Sequence, residues 1–489
     1  MKNTTPLLPG FHLTTLRRKP RSASLKLLDQ RQSIRDKSIS QLGSCFGSFI
    51  PSSELENASN GSFSRRRLFS KENTFWGFFS QILDADGGCK EVVRRFQAFA
   101  ASKGIKAPSS STAGYCTARS KLEQASLDKV LRHTANELQQ HETTNPWVDR
   151  RVVVVDGTGL STPDTHANQH EWPQPRSQKP GCGFPQLRLC ACFCLQTGAL
   201  LSHRIGNHKS HELPLLRQQW STFKSGDVFL GDKGFCSYYD VSKLKDQGVD
   251  SVITLARRTP VERSNAIKVL GKDDLLIYWP KPKRSKASSY SEEELVALPE
   301  QLTLRQIKVT VRTPGFRVKT FYIVTTLTDV NRYPAEALAK LYYQRWEVEL
   351  FFRDIKTTLG MDILRCKSPD MVQKEILMHL IVYNCIRQLM LRAANQKNLS
   401  PRKISVKGSI QALRQWLPLL NKTGLKPFEQ KRLMALLYDA IAGATLCDRP
   451  GRSEPRCVKR RPKPFQLMTA PRQVMRDILH QSQCRATPA

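Results

Sequence analysis

Four residues in Leu341–Lys356, LYYQRWEVELFFRDIK, are of types that act on phosphates: Tyr342, Arg345, Glu349 and Lys356, at offsets 0, 3, 7 and 14. On an α-helix turning about 100° per residue they fall at about 0°, −60°, −20° and −40°, an arc of roughly 60° on one face. A carboxylate flanked by two cations and a phenol can hold a metal ion while its neighbours grip the phosphate on which that metal acts. One carboxylate does not make such a site, because hard divalent cations take several oxygen ligands.

Two upstream acids have the right setting to supply them. Asp156 ends the run RVVVVD and is followed by Gly157; Asp232 ends VFLGD and is followed by Lys233 and Gly234. Short continuous runs of this kind are typical of strands buried on both faces. A carboxylate just past the end of a buried strand is held rigidly yet reaches the surface. Side by side with Glu349, the two aspartates would form an oxygen-rich site for Mg or Mn, with two ions about 4 Å apart suited to phosphodiester displacement. Each acid alone also has an ordinary role, the aspartates as turn formers or helix caps and Glu349 as a solvated side chain. Neighbouring acids fit less well: Glu347 and Asp354 lie about 160° and 140° around the helix from Glu349, Asp164 follows a proline in a loop, and Asp227 starts its strand.

The elements that must position these groups read as mixed α/β. Three strand patterns (RVVVVD, FPQLRLCACFCL, GALLSHRIG) precede a helix (HELPLLRQQWSTF), the strand DVFLGD, a helix (YYDVSKLKDQG) and the strand DSVITLARR, which together suggest a mixed sheet flanked by helices. Residues 257–330 are β-rich and irregular, with a PGF turn inside an alternating pair, and read as an inserted β domain. Pro334 suits the first turn of the helix bearing Glu349, and Gly360 suits its end. The chain then divides into a basic, poorly ordered segment (1–62), a helical region read as DNA-binding (63–145), a catalytic core in two parts (146–256 and 331–400) split by the β-rich insertion (257–330), a helical region (401–447) and a basic tail (448–489).

The 489 residues carry 77 Lys and Arg against 42 Asp and Glu, a net charge of +35 spread along the chain. That excess is the footprint of a protein that meets a polyanion, and nucleic acid is the natural candidate. A basic amphipathic membrane helix is not evident, and the most apolar stretch, Glu375–Leu391, is interrupted by Glu375, His379 and Arg387, which argues against a membrane span. The 13 cysteines show no paired framework and read as reduced thiols in a cytoplasmic setting. The first residues show no signal-peptide core.

With these residues in place, the chain resembles bacterial insertion-sequence DDE transposases of the branch carrying a Tyr-Arg-Glu-Lys signature, over roughly residues 70–475. The signature matches Tyr342, Arg345, Glu349 and Lys356; VVVVDGTGLS and FLGDKGFCSY resemble that family's first and second catalytic segments. The resemblance implies a ribonuclease-H-like (retroviral-integrase-type) core interrupted by a β-rich insertion, with helical N- and C-terminal regions. It implies double-stranded DNA partners (transposon ends and target), cleavage to a 3′ hydroxyl, strand transfer with divalent metal, and at least a dimer when two ends are paired. Asp156, Asp232 and Glu349 would be the catalytic and metal-binding acids, and Tyr342, Arg345 and Lys356 would contact end phosphates. In relatives that pass through a DNA hairpin a flipped base stacks on a Trp of the insertion, and Trp279 in LIYWPKPK falls there. A metal-dependent nuclease without strand transfer, and a domesticated non-catalytic DNA-binding protein, are the alternatives.

Other patterns point to structure. Cys190, Cys192 and Cys194 alternate on one strand, so Cys190 and Cys194 stand about 13 Å apart and cannot share one tetrahedral zinc with bonds near ~2.3 Å. His203, His208 and His211 read as loop histidines. Phe351 and Phe352 read as core packing. Lys281, Lys283, Arg284 and Lys286 suit either a phosphate-facing edge or a solvated loop.

Overall fold

The computed structural model describes residues 42, 45–65, 68–84, 87–102, 107–140, 147–255, 260–283, 290–311, 319–420, 426–446 and 467–485. The PGF turn, Arg284, Lys286, the basic run 449–463 and the first 41 residues lie outside them.

In chain order, the N-terminal half of the described residues carries the helices α1 (Lys71–Leu83), α2 (Cys89–Ser102), α3 (Ala113–Ser120) and α4 (Gln124–Gln140) ahead of the first strand. Then follow β1 (Val152–Ser161), β2 (Gln186–Cys194), β3 (Leu200–Asn207), α5 (Glu212–Arg217), β4 (Val228–Gly231), α6 (Tyr238–Asp246) and β5 (Asp250–Thr254). Four strands continue: β6 (Lys268–Gly271), β7 (Asp274–Pro280), β8 (Gln301–Val311) and β9 (Lys319–Thr325). After them run α7 (Ala335–Tyr343), α8 (Glu347–Arg353), α9 (Pro369–Gln396), α10 (Val406–Leu420), α11 (Pro427–Gly443) and α12 (Arg472–Arg485).

The nine strands among the described residues share one sheet in the order β3-β2-β1-β4-β5-β9-β8-β7-β6. β1 to β3 form an antiparallel meander, while β4 and β5 run parallel to β1. This mixed α/β architecture with a large sheet is consistent with the ribonuclease-H-like core expected. The strands of 268–325 do not stand apart as a separate β domain. β9 pairs antiparallel with β5 (Ile253 opposite Val324) and carries β8, β7 and β6 outward on the same sheet.

The unbroken valine run is explained by a core on each face. Val152 and Val154 join Leu187, Leu189, Ala191 and Phe193 beneath the large helical layer, whereas Val153 and Val155 join Cys190, Cys192 and Cys194 on the other side. The three cysteines therefore fill a strand face, as their spacing predicts. Helix α9 runs through the larger core, with residues 374–394 almost wholly buried. Its charges are satisfied in place: Glu375 accepts the backbone N–H groups of Arg365 and Cys366.

The N-terminal part departs from the sequence-based expectation. Residues 45–62 are not simply a poorly ordered arm: Phe46, Phe49, Ile50 and Leu55 are buried in the main core, with Phe46 against Phe79 of α1 at 5.0 Å. Helices α1 and α4 pack into that core too. Arg119 does not belong to a basic surface, since it bonds Gln81 and the Cys366 thiol and lies over Phe78. No helix among the described residues is long and apolar enough to cross a membrane.

Candidate active site

The site forms where β1 and β4 part. Their parallel pairing ends at Val154 opposite Leu230, so Asp156 and Asp232 each stand two residues beyond the last pair, on strands roughly 4.8 Å apart. Asp156 is not past the end of its strand: β1 continues to Ser161, with Asp156 opposite Ala191 of β2. What ends is the neighbour on its other side, which leaves the carboxyl group an open flank. Its Oδ1 accepts the Gly157 N–H at 2.8 Å. Asp232 follows β4 directly and caps the 3₁₀ turn Lys233–Phe235, accepting the Gly234 N–H at 2.7 Å.

Burial pushes the Asp156 carboxyl up to about 6; the Gly157 N–H opposes this, Glu212 and Asp232 add to it, and Arg345 opposes it. Asp156 is thus held in the electrostatic reach of two other acids and one guanidinium.

The helix carrying the other candidates is anchored by Val348, Phe351, Phe352 and Ile355, a buried stripe at i, i+3, i+4 and i+7. Phe351 and Phe352 pack on Phe193 of β2 at 5.4 and 5.3 Å, which fixes α8 over the strands bearing the aspartates. The helix is not regular. Between α7 and α8 the residues Gln344–Trp346 form a 3₁₀ turn, and Asp354–Thr358 form a π turn, where the Leu359 N–H bonds the Asp354 carbonyl at 3.0 Å. Pro334 is the residue just before α7, and Gly360, at φ +76°, ends the π turn.

Tyr342, Arg345 and Glu349 nonetheless lie together, and Lys356 reaches the strand that bears Asp156. Arg345 approaches Glu349 at 3.6 Å and its side chain is only 14% exposed. The Tyr342 hydroxyl is hydrogen-bonded with Arg345 and Thr254, the latter at 3.0 Å; burial raises its pKa, and Asp232 adds to the rise. Lys356 reaches β1 past Asp156, donating to the Thr158 hydroxyl at 3.1 Å and the Gly159 carbonyl at 3.0 Å. Arg345 is therefore the common neighbour of Asp156, Glu349 and Tyr342. The acids have the hard oxygen donors that Mg or Mn prefers, but among the described residues no three such groups stand close enough together to hold an ion.

Trp279 does not join the site. It is 6% exposed, packed in the second core with Tyr238 edge-on at 5.6 Å, so its ring has no free face for a base. Lys281 is tied to the Leu298 carbonyl and to Glu300. His203 is not a loop residue but lies half-buried on β3, and burial lowers its pKa to about 4.

Sequence reasoning missed Glu212, at the start of α5. It is paired with Arg188 at 2.9 Å and sits where a Cβ on Gly157 would be. Because side chains alternate along β1, it approaches from the face opposite Asp156. The one local signal is the glycine after Asp156, which leaves room for it.

Residues 147–385, which include Asp156, Asp232 and Glu349, match the family model described as a transposase DDE domain. Over 418 residues the chain is 27% identical to Transposase InsG for insertion sequence element IS4 of Escherichia coli (strain K12), covering 83% of this chain and 89% of that protein. Over 147 residues it is 28% identical to the probable transposase for insertion sequence element IS5377 of Geobacillus stearothermophilus, covering 30% of this chain and 39% of that protein. Over 59 residues it is 36% identical to the transposase for insertion sequence element IS421 of Escherichia coli, covering 12% and 16%. These similarities support an enzyme of the DDE type that acts on DNA. More narrowly, they support an insertion-sequence DDE transposase.

Proposed function

We propose that the protein binds insertion-sequence ends as double-stranded DNA, cleaves a phosphodiester there to leave a 3′ hydroxyl, and joins that end to target DNA. It would act in the cytoplasm on nucleoid DNA, as a homodimer when two ends are paired. The observation that favours this function is the gathering of Asp156, Asp232, Tyr342 and Arg345 at the mouth between β1 and β4, with Glu349 and Lys356 on the same helix.

Asp156, Asp232 and Glu349 are the residues that would hold Mg or Mn, as two ions in the complete site. Bound there, the ions supply charge neutralisation at the phosphate and a lowered pKa for the attacking oxygen. The chain's own groups do the rest. Arg345 neutralises carboxylates in the free protein and is placed to exchange them for a phosphate. Lys356 presents its ammonium beside Thr158, where a backbone phosphate can replace the Gly159 carbonyl as partner. Tyr342, held by Thr254, orients the strand at the cut by hydrogen bonding or stacking.

Replacing Glu349 with Ala should abolish cleavage while leaving end binding within a few-fold; retained metal-dependent cleavage would remove Glu349 from the site. Ends taken from the DNA flanking the gene, mixed with a supercoiled target, separate transposition from the alternatives. A nuclease cuts without joining, and a non-catalytic binding protein does neither.

A further inference from the structure

The helix that carries Arg345, Glu349 and Lys356 is irregular at two places, and an arginine from outside the helix lies beside each one. At the 3₁₀ turn, Arg402 donates through Nη1 to the Gln344 side-chain carbonyl at 3.0 Å. At the π turn the partner is Arg387 of α9, which is 3% exposed. Its guanidinium carbon lies 4.8 Å over the Phe351 ring, and its charge acts on Asp354, the first residue of the turn. Arg387 is itself fixed from behind: Nε donates to the Tyr383 hydroxyl at 3.0 Å, and that hydroxyl donates to the Gly198 carbonyl at 2.8 Å in the β2–β3 turn. Gly198, at φ +70°, leaves no room for a Cβ because the Arg387 guanidinium fills that space. Arg387, Arg402, Glu347 and Asp354 line one cavity of about 230 Å³ behind the helix.

We propose that Arg387 and Arg402 are positioning residues, a two-point clamp that keeps the 3₁₀ and π turns from relaxing to regular α-helix and so sets the placement of Arg345, Glu349 and Lys356. Its catalytic consequence rests on the function proposed above. Both turn types have poorer hydrogen-bond geometry or rarer occurrence than α-helix and persist where something else holds them. A helix that regularised would rotate the groups beyond each turn by tens of degrees. A displacement of about 1 Å at reacting groups can cost on the order of 10²-fold in rate.

The test uses the full-length protein with Arg387→Met, Arg387→Lys and Arg402→Met. Amide hydrogen exchange over 342–358, followed by mass spectrometry, reports the clamp without any activity. Exchange there should fall several-fold in Arg402→Met, because a turn that relaxes to regular α-helix gains protection, while α9 and the sheet keep theirs. Single-turnover cleavage should fall on the order of 10²-fold in Arg387→Met with end affinity changed less than about 3-fold, a split that general unfolding does not produce. Arg387→Lys should recover little, because an ammonium lacks the planar face that stacks on Phe351. If Arg387→Met does not fold, Arg402→Met, at the more accessible site, carries the test alone. Unchanged exchange in Arg402→Met overturns the clamp whatever the activity. Lowered exchange with wild-type cleavage overturns its positioning role. If the wild type itself cuts no end DNA, the function proposed above fails instead, and exchange still decides the clamp.

Discussion

Replacing Asp156 with Asn should make the metal-free protein more stable, by an amount that depends on pH. The carboxyl group's pKa rises from 3.8 to about 6 on folding, mainly through burial. A carboxyl group raised in this way favours its protonated form in the fold. Stability is therefore fullest below 3.8 and is lost as pH climbs through about 6. Integrating the difference in bound protons gives a penalty of about 0.5 kcal/mol at pH 4 and about 3 kcal/mol at pH 8. Asn has nearly the same shape, keeps an Oδ1 to accept the Gly157 N–H, and carries no charge to desolvate. Urea denaturation of both proteins in EDTA should show the variant ahead by about 2–3 kcal/mol at pH 8 and nearly level at pH 4. Magnesium should narrow the gap at pH 8 by stabilising the wild type alone. A variant equal to or weaker than wild type at pH 8, or a gain that does not change with pH, would refute the account of Asp156 as an acid ionised at a cost in stability.

Lys356→Ala should weaken end binding and make the slope of log affinity against log salt shallower by about 0.9, the value for one phosphate contact; a filter-binding series in salt checks it, and an unchanged slope would exclude the contact. Trp279→Ala should cost about 3–5 kcal/mol of stability, as truncation of a buried aromatic does, with cleavage per folded molecule unchanged. Selective loss of cleavage at full stability would instead restore a role on DNA. Gly157→Ala should push the Glu212 carboxylate off its place and destabilise by about 1–3 kcal/mol; adding Glu212→Ala should recover much of that loss in thermal melts, and no recovery would show that Glu212 is not what fills the space.

The parts of the fold legible in sequence were those in which each residue's type reports its own surroundings. The run Val152–Val155 needs a core on both faces, and the alternation of Leu187, Leu189, Ala191 and Phe193 with Cys190, Cys192 and Cys194 assigns each to one of them. The four helical candidates and two aspartates came from the same kind of local pattern, and the structure gathers most of them at one mouth. What escaped depends on which segments meet. Phe46 and Phe49 sit in a Ser- and Gly-rich stretch whose composition reads as disorder, yet α1 and α4 offer them a groove to fill. Trp279 lies in the β-rich segment, and nothing in LIYWPKPK says which face of β7 is covered. Glu212 becomes part of the Asp156 environment only because α5 folds back on β2 and β3.

The ideal-helix projection of Tyr342, Arg345, Glu349 and Lys356 placed them on one face, though the helix that bears them is not ideal. The 3₁₀ turn advances about 120° per residue against 100° for an α-helix, so Gln344–Trp346 overwinds everything after it by roughly 60°. The π turn, with its longer i→i+5 ring, underwinds by roughly 15–20° per residue and returns about 50° by Lys356. The two departures nearly cancel. Arg345 then falls at about −20°, Glu349 at about +40° and Lys356 at about −30° relative to Tyr342, still one face but in a different order. Glu349, between the two turns, is the residue moved furthest from its ideal place. It is also the acid whose partner is Arg345 and not the aspartates. A change that straightened only one of the turns would leave the other uncompensated at Lys356, which is why the two arginines behind the helix matter as a pair: the 3₁₀ turn alone sets where Glu349 faces, and the two turns together return Lys356 to within about 10° of its ideal place.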